Sequence, residues 1–156
     1  MKGNKQVVEL LNSVLTWELT SINQYFLHSE MCSHWGYKRM HGVNRKHSIE
    51  EMKHAEELIE RILYLEGLPN VQRMNKVNIG ETIPEMLKSD YDLEGEAIPM
   101  LNNGIELCRG KGDNGSRLLL EKILAEEEEH WDWLDAQLGL LDQVGEQNYL
   151  AQQIKD

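Results

Sequence analysis

Apolar residues recur along most of the chain at the three-to-four-residue spacing of amphipathic helices. In the first such segment they fall at Val7, Leu11, Val14 and Leu15, without the strict alternation of a strand. The pattern predicts four long helices and one short terminal helix, over about residues 5–35, 44–66, 82–109, 116–145 and 147–155.

Glycines and capping residues mark the ends of these predicted helices. Gly36 and Gly42 bracket the first connection, and Gly67 stands where a C-terminal cap belongs. The segment Thr82–Glu85 has the form of a capping box, with proline early in the helix. Pro99 lies inside the third predicted helix, and because it lacks an amide hydrogen we expect a kink or a loosened turn there.

The connection between the second and third predicted helices, residues 67–81, is longer than usual. Extended, about fifteen residues span roughly 50 Å, which is enough to run along a whole helix bundle. This predicts an all-α four-helix bundle with a long crossover between helices 2 and 3. A chain of 156 residues suits a single domain over 1–156.

An internal repeat relates the two halves of the chain. One constant shift along the sequence superimposes the apolar positions of the first two predicted helices on those of the next two. The same shift pairs residues that can bind metals: Glu18 with Glu94, Glu51 with Glu127, and His54 with His130. The repeat predicts two helix hairpins related by pseudo-two-fold symmetry.

Two Glu-x-x-His motifs, Glu51–His54 and Glu127–His130, carry the candidate chemistry. At this spacing on a helix a carboxylate and an imidazole share one face and can reach one metal ion. Each motif follows a further glutamate, Glu18 or Glu94, at the same distance, and this set is the di-iron pattern of ferritin-like bundles. Four buried carboxylates would balance two Fe²⁺ ions. Oxygen and nitrogen ligands suit iron or manganese, with zinc as an alternative.

Composition narrows the function further. Sixteen basic and 27 acidic residues give a net charge of −11, which argues against nucleic-acid or anionic-membrane binding and favours cations. Cys32 and Cys108 form no paired motif and are predicted to be buried thiols in a reducing compartment. No signal-like or membrane-length apolar stretch occurs, so we expect a cytoplasmic protein.

The chain resembles the bacterioferritin family over essentially its whole length. The resemblance lies in the opening Met-Lys-Gly and in segments 22–28, 48–55, 59–63, 66–70 and 148–150. It implies a cytoplasmic cage of twenty-four subunits that stores iron. It also implies a ferroxidase in each subunit, which oxidises Fe²⁺ with O₂ or H₂O₂ and deposits ferric mineral in the cavity.

The resemblance assigns residues to this centre and to a haem. The di-iron ligands would be Glu18, Glu51, His54, Glu94, Glu127 and His130, with Tyr25 beside them. Met52 would be the axial ligand of a haem b shared by two subunits, one methionine coming from each. On a helix Met52 points about 100° away from Glu51. An apolar stripe on the first helix, Leu19, Ile22 and Phe26, likewise suits a subunit interface.

The family also implies partners. A small [2Fe–2S] ferredoxin would deliver electrons through the haem to release stored iron, on a surface matching Leu68, Pro69, Glu81 and Glu85. The sequence leaves open whether the cage is a homo-oligomer or contains a second ferritin subunit. It also leaves open the haem occupancy, the iron entry pore and the preference between O₂ and H₂O₂.

One departure from the family concerns the cavity wall. Several bacterioferritins hold an extra iron there, on a histidine and an aspartate that correspond to Lys46 and Glu50. A protonated lysine repels Fe²⁺ and cannot ligate it, so we expect a Lys46–Glu50 ion pair and no iron at this position. His47 points about 100° away on the helix and should not simply substitute.

Other interpretations remain open. A haem-free ferritin-type cage would share the bundle, and a haem-binding electron-transfer bundle would lack the storage role. A rubrerythrin-like peroxidase would need paired cysteines that the sequence lacks. Four histidines show no convergent partners in the sequence and are expected at the surface or in packing roles: His28, His34, His41 and His47.

Overall fold

The computed structural model describes all 156 residues and contains five helices and no strand. The helices are α1 (Lys5–His34), α2 (Lys38–Tyr64), α3 (Ile83–Gly110), α4 (Asn114–Val144) and α5 (Glu146–Ala151). The predicted fold class, a four-helix bundle with a long crossover and a short fifth helix, is confirmed. None of the helices is both long enough and apolar enough to cross a bilayer.

The bundle consists of two helix hairpins. Helix α1 packs mainly on α2, and α3 mainly on α4, while α1 faces α3 and α2 faces α4 across the bundle. Lys38 and Asn114, the first residues of α2 and α4, are separated by the same shift that relates Glu18 to Glu94 in the internal repeat. The two hairpins therefore begin their second helices at equivalent positions.

Two apolar clusters fill the bundle on either side of its middle. The larger cluster includes Leu11, Leu58, Leu101 and Leu120, one from each long helix. The smaller cluster lies near the other end and includes Met86 and Tyr149, so that α5 closes this end. Both cysteines are fully buried, as predicted, and burial raises the pKa of Cys32 to about 12.

The second helix begins six residues earlier than predicted, at Lys38 rather than at about residue 44. Of Gly36 and Gly42, only Gly36 adopts a positive φ, 88°, and the amide of Tyr37 then bonds back to the Cys32 carbonyl at 2.9 Å. That arrangement closes α1 within two residues. Gly42 instead lies inside α2, where a helix tolerates an isolated glycine.

The expectation that Gly67 provides the left-handed cap of α2 is wrong. Glu66 takes the left-handed conformation, with φ 61°, and the Gly67 amide bonds to the Ile62 carbonyl at 2.9 Å. Residue 67 must nevertheless be glycine, for a different reason. A Cβ on Gly67 would lie 2.6 Å from Val8 Cγ1, so only glycine lets the chain cross α1 this closely.

The remaining helix ends differ by a few residues from the prediction. Thr82 caps α3 as predicted, accepting the Glu85 amide at 3.3 Å, although the Glu85 carboxylate accepts the Glu81 amide. Helix α3 is continuous through Pro99, and the expected local bend stays a prediction. Helix α4 starts two residues earlier than predicted because Asp113 caps it, and α5 is shorter than predicted.

A ladder of polar side chains on α1 holds the crossover. They are spaced four residues apart and so lie on one face of the helix. Their bonds to the crossover are 2.8–3.2 Å long and join Asn12 with Leu68 and Asn70, Thr16 with Arg73, Thr20 with Asn75, Gln24 with Asn78, and His28 with Gly80. The crossover therefore runs along α1 and starts α3 at the far end.

His28 is buried in this ladder, in one of the two roles expected for it, and its partners were not visible in the sequence. Its Nδ1 lies 3.1 Å from the Asp90 carboxylate, which also accepts a bond from Gln24 at 2.8 Å. Its Nε2 accepts the Gly80 amide. His28 thus ties α1, α3 and the crossover together, whereas His34 is exposed, as predicted.

Candidate metal centre

Six carboxylate and imidazole side chains meet in the middle of the bundle, between the two apolar clusters. Helices α1 and α3 each supply one glutamate, and α2 and α4 each supply one Glu-x-x-His motif. The four glutamates are fully buried, and the two histidines are 1% and 7% exposed: Glu18, Glu51, His54, Glu94, Glu127 and His130. The structure therefore brings together all six predicted ligands.

The six residues form two overlapping groups of possible metal ligands. The His54 half-site consists of Glu18, Glu51, His54 and Glu127. The His130 half-site consists of Glu51, Glu94, Glu127 and His130. Within each group the ligand atoms lie within 4.8 Å of one another. Glu51 and Glu127 belong to both half-sites, which is the arrangement that lets carboxylates bridge two ions.

The Nδ1 atoms of both histidines face inward. His54 Nδ1 lies 3.0 Å from a Glu127 oxygen and 3.5 Å from a Glu18 oxygen. His130 Nδ1 lies 3.4 Å from a Glu51 oxygen and 3.7 Å from a Glu94 oxygen. Each imidazole thus presents one nitrogen to the carboxylates of its own half-site.

Most inward-facing atoms of the site have no hydrogen-bond partner. These are seven carboxylate oxygens of the four glutamates and the Nδ1 atoms of His54 and His130. Buried polar groups are normally satisfied, and a buried charge without compensation is very costly. Two divalent cations would satisfy these atoms and balance the four carboxylates, so the residues fit a dinuclear metal centre.

Burial dominates the electrostatics of the four carboxyls. It raises the pKa of Glu18, Glu51 and Glu94 well above the usual value, and their mutual repulsion adds to the effect. Burial and then the Glu51 charge raise the pKa of Glu127 to about 8. Metal-free, the site therefore retains protons that cations must displace.

For the two histidines, the neighbouring carboxylates outweigh the effect of burial on the pKa. Burial alone would lower the pKa of His54, but the Glu127 carboxylate 3.0 Å from its Nδ1 and the charge of Glu51 outweigh burial and raise the pKa to about 9. The pKa of His130 is also raised, because the nearby carboxylates of Glu94 and Glu50 outweigh burial.

Tyr25 lies beside the His130 half-site, at the place predicted for it. Its hydroxyl donates a 2.6 Å hydrogen bond to Glu94, and its side chain is fully buried. Burial, followed by the charges of Glu94 and Asp90, raises the pKa of Tyr25 well above the usual value. The phenol therefore keeps its proton and holds the Glu94 carboxylate.

The sequence interpretation missed His47. It is 8% exposed, its ring centroid lies 4.0 Å from that of His130, and it forms a further candidate ligand group with Glu50 and His130. The angle between Lys46 and His47 on α2 argued against a role for His47, but it took no account of α4. His130 and Trp133 of α4 contact the His47 ring. Burial lowers the pKa of His47 to about 3, so it is uncharged.

The predicted Lys46–Glu50 ion pair is present, with 3.8 Å between Nζ and Oε1. Glu50 also accepts a 2.6 Å bond from His130 Nε2, which the sequence interpretation did not anticipate. In the run from Glu126 to Glu129, only Glu127 is fully buried, in agreement with the expectation that part of the run faces inward.

Of the apolar stripe expected at a subunit interface, only Phe26 is largely exposed, whereas Leu19 and Ile22 are partly buried against the larger apolar cluster. Phe26 of α1 and Met52 of α2 are 52% and 53% exposed, and Ile49 is 40% exposed. Met52 is thus more than half exposed, whereas its neighbour Glu51 is fully buried in the metal centre. Of the surface matched to the ferredoxin, Leu68 is 85% exposed.

Comparisons with known proteins agree with this architecture. Residues 8–144 match the ferritin-like domain family. The chain is 49% identical to a bacterioferritin of Mycobacterium bovis, over 97% of this chain and 96% of that protein. It is 47% identical to a bacterioferritin of Streptomyces coelicolor and 42% identical to one of Brucella melitensis, over at least 96% of this chain and 90% of each relative. The chain therefore belongs to the bacterioferritins, within the ferritin-like domain family.

Proposed function

We propose that the chain stores iron and acts as a ferroxidase, oxidising Fe²⁺ in the dinuclear centre of each subunit. The single observation that carries this proposal is the pair of half-sites that share Glu51 and Glu127. Family membership supports iron storage, and the unpartnered carboxylate and imidazole atoms support binding of two Fe²⁺ as the substrate.

The reaction needs two electrons, one from each Fe²⁺. With H₂O₂ as oxidant, both electrons and two protons convert the peroxide into two waters, and two Fe³⁺ remain. The chain supplies the site rather than the electrons. Glu18 and His54 would hold one ion, Glu94 and His130 the other, and the two shared carboxylates would fix the distance between them.

The buried carboxyls also release protons when Fe²⁺ binds. Because the pKa of Glu127 is about 8 in the metal-free chain, Fe²⁺ binding must release protons at neutral pH. Tyr25, with its raised pKa, would stay protonated and keep Glu94 in place through the 2.6 Å bond. The fixed side chains lower the reorganisation needed when iron changes charge.

We further propose that twenty-four chains form a homo-oligomeric cage around the mineral. With −11 per chain, such a shell carries 24 × −11 = −264 formal charges before iron compensates them. A field of this sign attracts Fe²⁺, and the attraction weakens with salt. Sedimentation velocity tests the cage directly, because a monomer or dimer under native conditions would contradict it.

A haem between two subunits is the third part of the proposal. Exposed Met52 lies one turn from exposed Ile49 on α2, a suitable setting for a ligand shared across an interface. One methionine from each subunit would hold the haem b, whose redox chemistry would serve iron release. An iron–sulfur ferredoxin of the [2Fe–2S] type is the proposed electron donor, docking near exposed Leu68.

Stopped-flow oxidation of Fe²⁺ tests the ferroxidase proposal. Glu18→Ala, Glu94→Ala and His130→Ala should each abolish the fast phase while leaving helix content and cage size unchanged. Glu128→Ala is the matched control, because this exposed neighbour of Glu127 belongs to neither half-site. Fast oxidation at the wild-type rate in all three ligand variants would refute the proposed centre.

A further inference from the structure

Each histidine of the centre has a second carboxylate at its outer nitrogen. His130 Nε2 lies 2.6 Å from an oxygen of Glu50, and His54 Nε2 contacts an oxygen of Glu126. Neither Glu50 nor Glu126 belongs to a half-site. The imidazoles therefore stand between an inner group of carboxylates and an outer one.

The two outer contacts are equivalent under the internal repeat. The shift that relates the two halves of the chain carries Glu50 onto Glu126 and His54 onto His130. Each glutamate directly precedes the glutamate of its own motif but reaches the histidine of the opposite helix. The contacts therefore cross between α2 and α4 in both directions, a symmetry that an accidental surface contact would not show.

We propose that Glu50 and Glu126 are positioning residues, each holding the imidazole of the opposite helix so that its inner nitrogen is the one that binds metal. This inference rests on the proposed dinuclear centre and concerns residues outside its ligand set. A carboxylate on the outer N–H of a histidine orients the ring and strengthens the other nitrogen as a ligand.

The geometry supports this role at the inner nitrogens. The Nδ1 atoms of His54 and His130 have no hydrogen-bond partner, while both Nε2 atoms are occupied. A metal ion needs a lone pair on the nitrogen that faces it, and a proton held at Nε2 leaves that lone pair on Nδ1. The outer carboxylates thus select which nitrogen is available.

The outer carboxylates are suited to a direct test because they are not deeply buried. They line an open pocket of about 530 Å³ together with His47, Lys122 and Glu129, and their side chains are 32% and 44% exposed. Replacing either by glutamine leaves no unpaired charge in the core. Glu129 is the matched control, since it lines the same pocket, is exposed and bonds to neither histidine.

Titration of the metal-free cage with Co²⁺, followed by its visible absorption, measures this effect without turnover. The wild type should bind two Co²⁺ per chain. Glu50→Gln should weaken the ion of the His130 half-site, and Glu126→Gln that of the His54 half-site, by roughly ten- to a hundredfold in dissociation constant. The second ion should keep its affinity in each single variant, and both should weaken in the double variant.

The outcomes separate this inference from the proposed function. If the wild type binds no pair of Co²⁺, the dinuclear centre itself is refuted. If the wild type binds two ions and neither glutamine variant changes an affinity, only the positioning role is refuted. An equal loss in Glu129→Gln would also overturn it, because a simple change of pocket charge would then explain the result. Unchanged melting temperatures of the metal-free variants show that folding is intact.

Discussion

Replacing Glu127 by glutamine should make the metal-free chain more stable at neutral pH. Glu127 is fully buried and shared by both half-sites, and burial followed by the Glu51 charge raises its pKa to about 8. At pH 7 the folded chain therefore keeps a proton that the unfolded chain releases. Glutamine has nearly the same shape but no proton to lose, so the cost of keeping Glu127 protonated in the folded chain at pH 7 disappears.

The magnitude follows from the shift in pKa. A carboxyl whose pKa is raised in the fold stabilises the protein fully below its unfolded pKa, and this stability is lost as the pH rises through the folded pKa. For Glu127 the window extends from the reference value of 4.5 to about 8. At about 1.4 kcal/mol per pH unit, the loss by pH 7 is about 3 kcal/mol.

Thermal unfolding of the metal-free protein at several pH values measures this gain. For a chain of this length 1 kcal/mol corresponds to about 2–4 °C in melting temperature, so Glu127→Gln should melt roughly 6–12 °C above the wild type at pH 7. At pH 5 the difference should shrink to about 1–3 °C. Added Co²⁺ should reverse the order, because the variant lacks a carboxylate that both half-sites share.

The control for this experiment is Glu128→Gln, which removes the same charge from an exposed position on the same helix. It should leave the melting temperature unchanged at every pH. A gain for Glu127→Gln that is equal at pH 5 and pH 7 would refute the reasoning, because a titrating group must give a pH-dependent difference. So would an equal gain for Glu128→Gln.

Three further predictions concern other parts of the molecule. Met52→Ala should remove the haem absorption and leave the rate of Fe²⁺ oxidation unchanged, since Met52 points away from the centre; retained haem absorbance would require another ligand. Thr20→Val should lower the free energy of unfolding by about 1–2 kcal/mol, because it leaves the Asn75 amide unpaired, and an unchanged denaturation midpoint would contradict the ladder. Anomalous diffraction from iron-soaked crystals should show no peak between Lys46 and Glu50, and a strong peak bound by Glu50 would overturn that expectation.

The bundle and the ligand set could be predicted from the sequence because both depend on periodic patterns. Apolar spacing gave the four long helices, and the internal repeat paired Glu18 with Glu94 across them. Residues three or four apart on one helix share a face, so the pairing of Glu51 with His54 needed no tertiary information. What the repeat could not supply was contact between helices.

The features missed from the sequence all arise from such contacts. His47 lies near the centre because α4 packs over it, and Glu50 reaches His130 across the same interface. The polar residues spaced four apart on α1, of which Thr20 is one, were a readable signal for the crossover contact. The need for glycine at Gly67 depends on how closely the chain passes α1, which no local pattern reports.

The most direct test of the central claim is anomalous diffraction at the iron edge from crystals soaked anaerobically with Fe²⁺. We expect two peaks within each subunit, one in the His54 half-site and one in the His130 half-site, with Glu51 and Glu127 between them. A single peak, or iron bound only in the outer pocket beside Glu50, would contradict it.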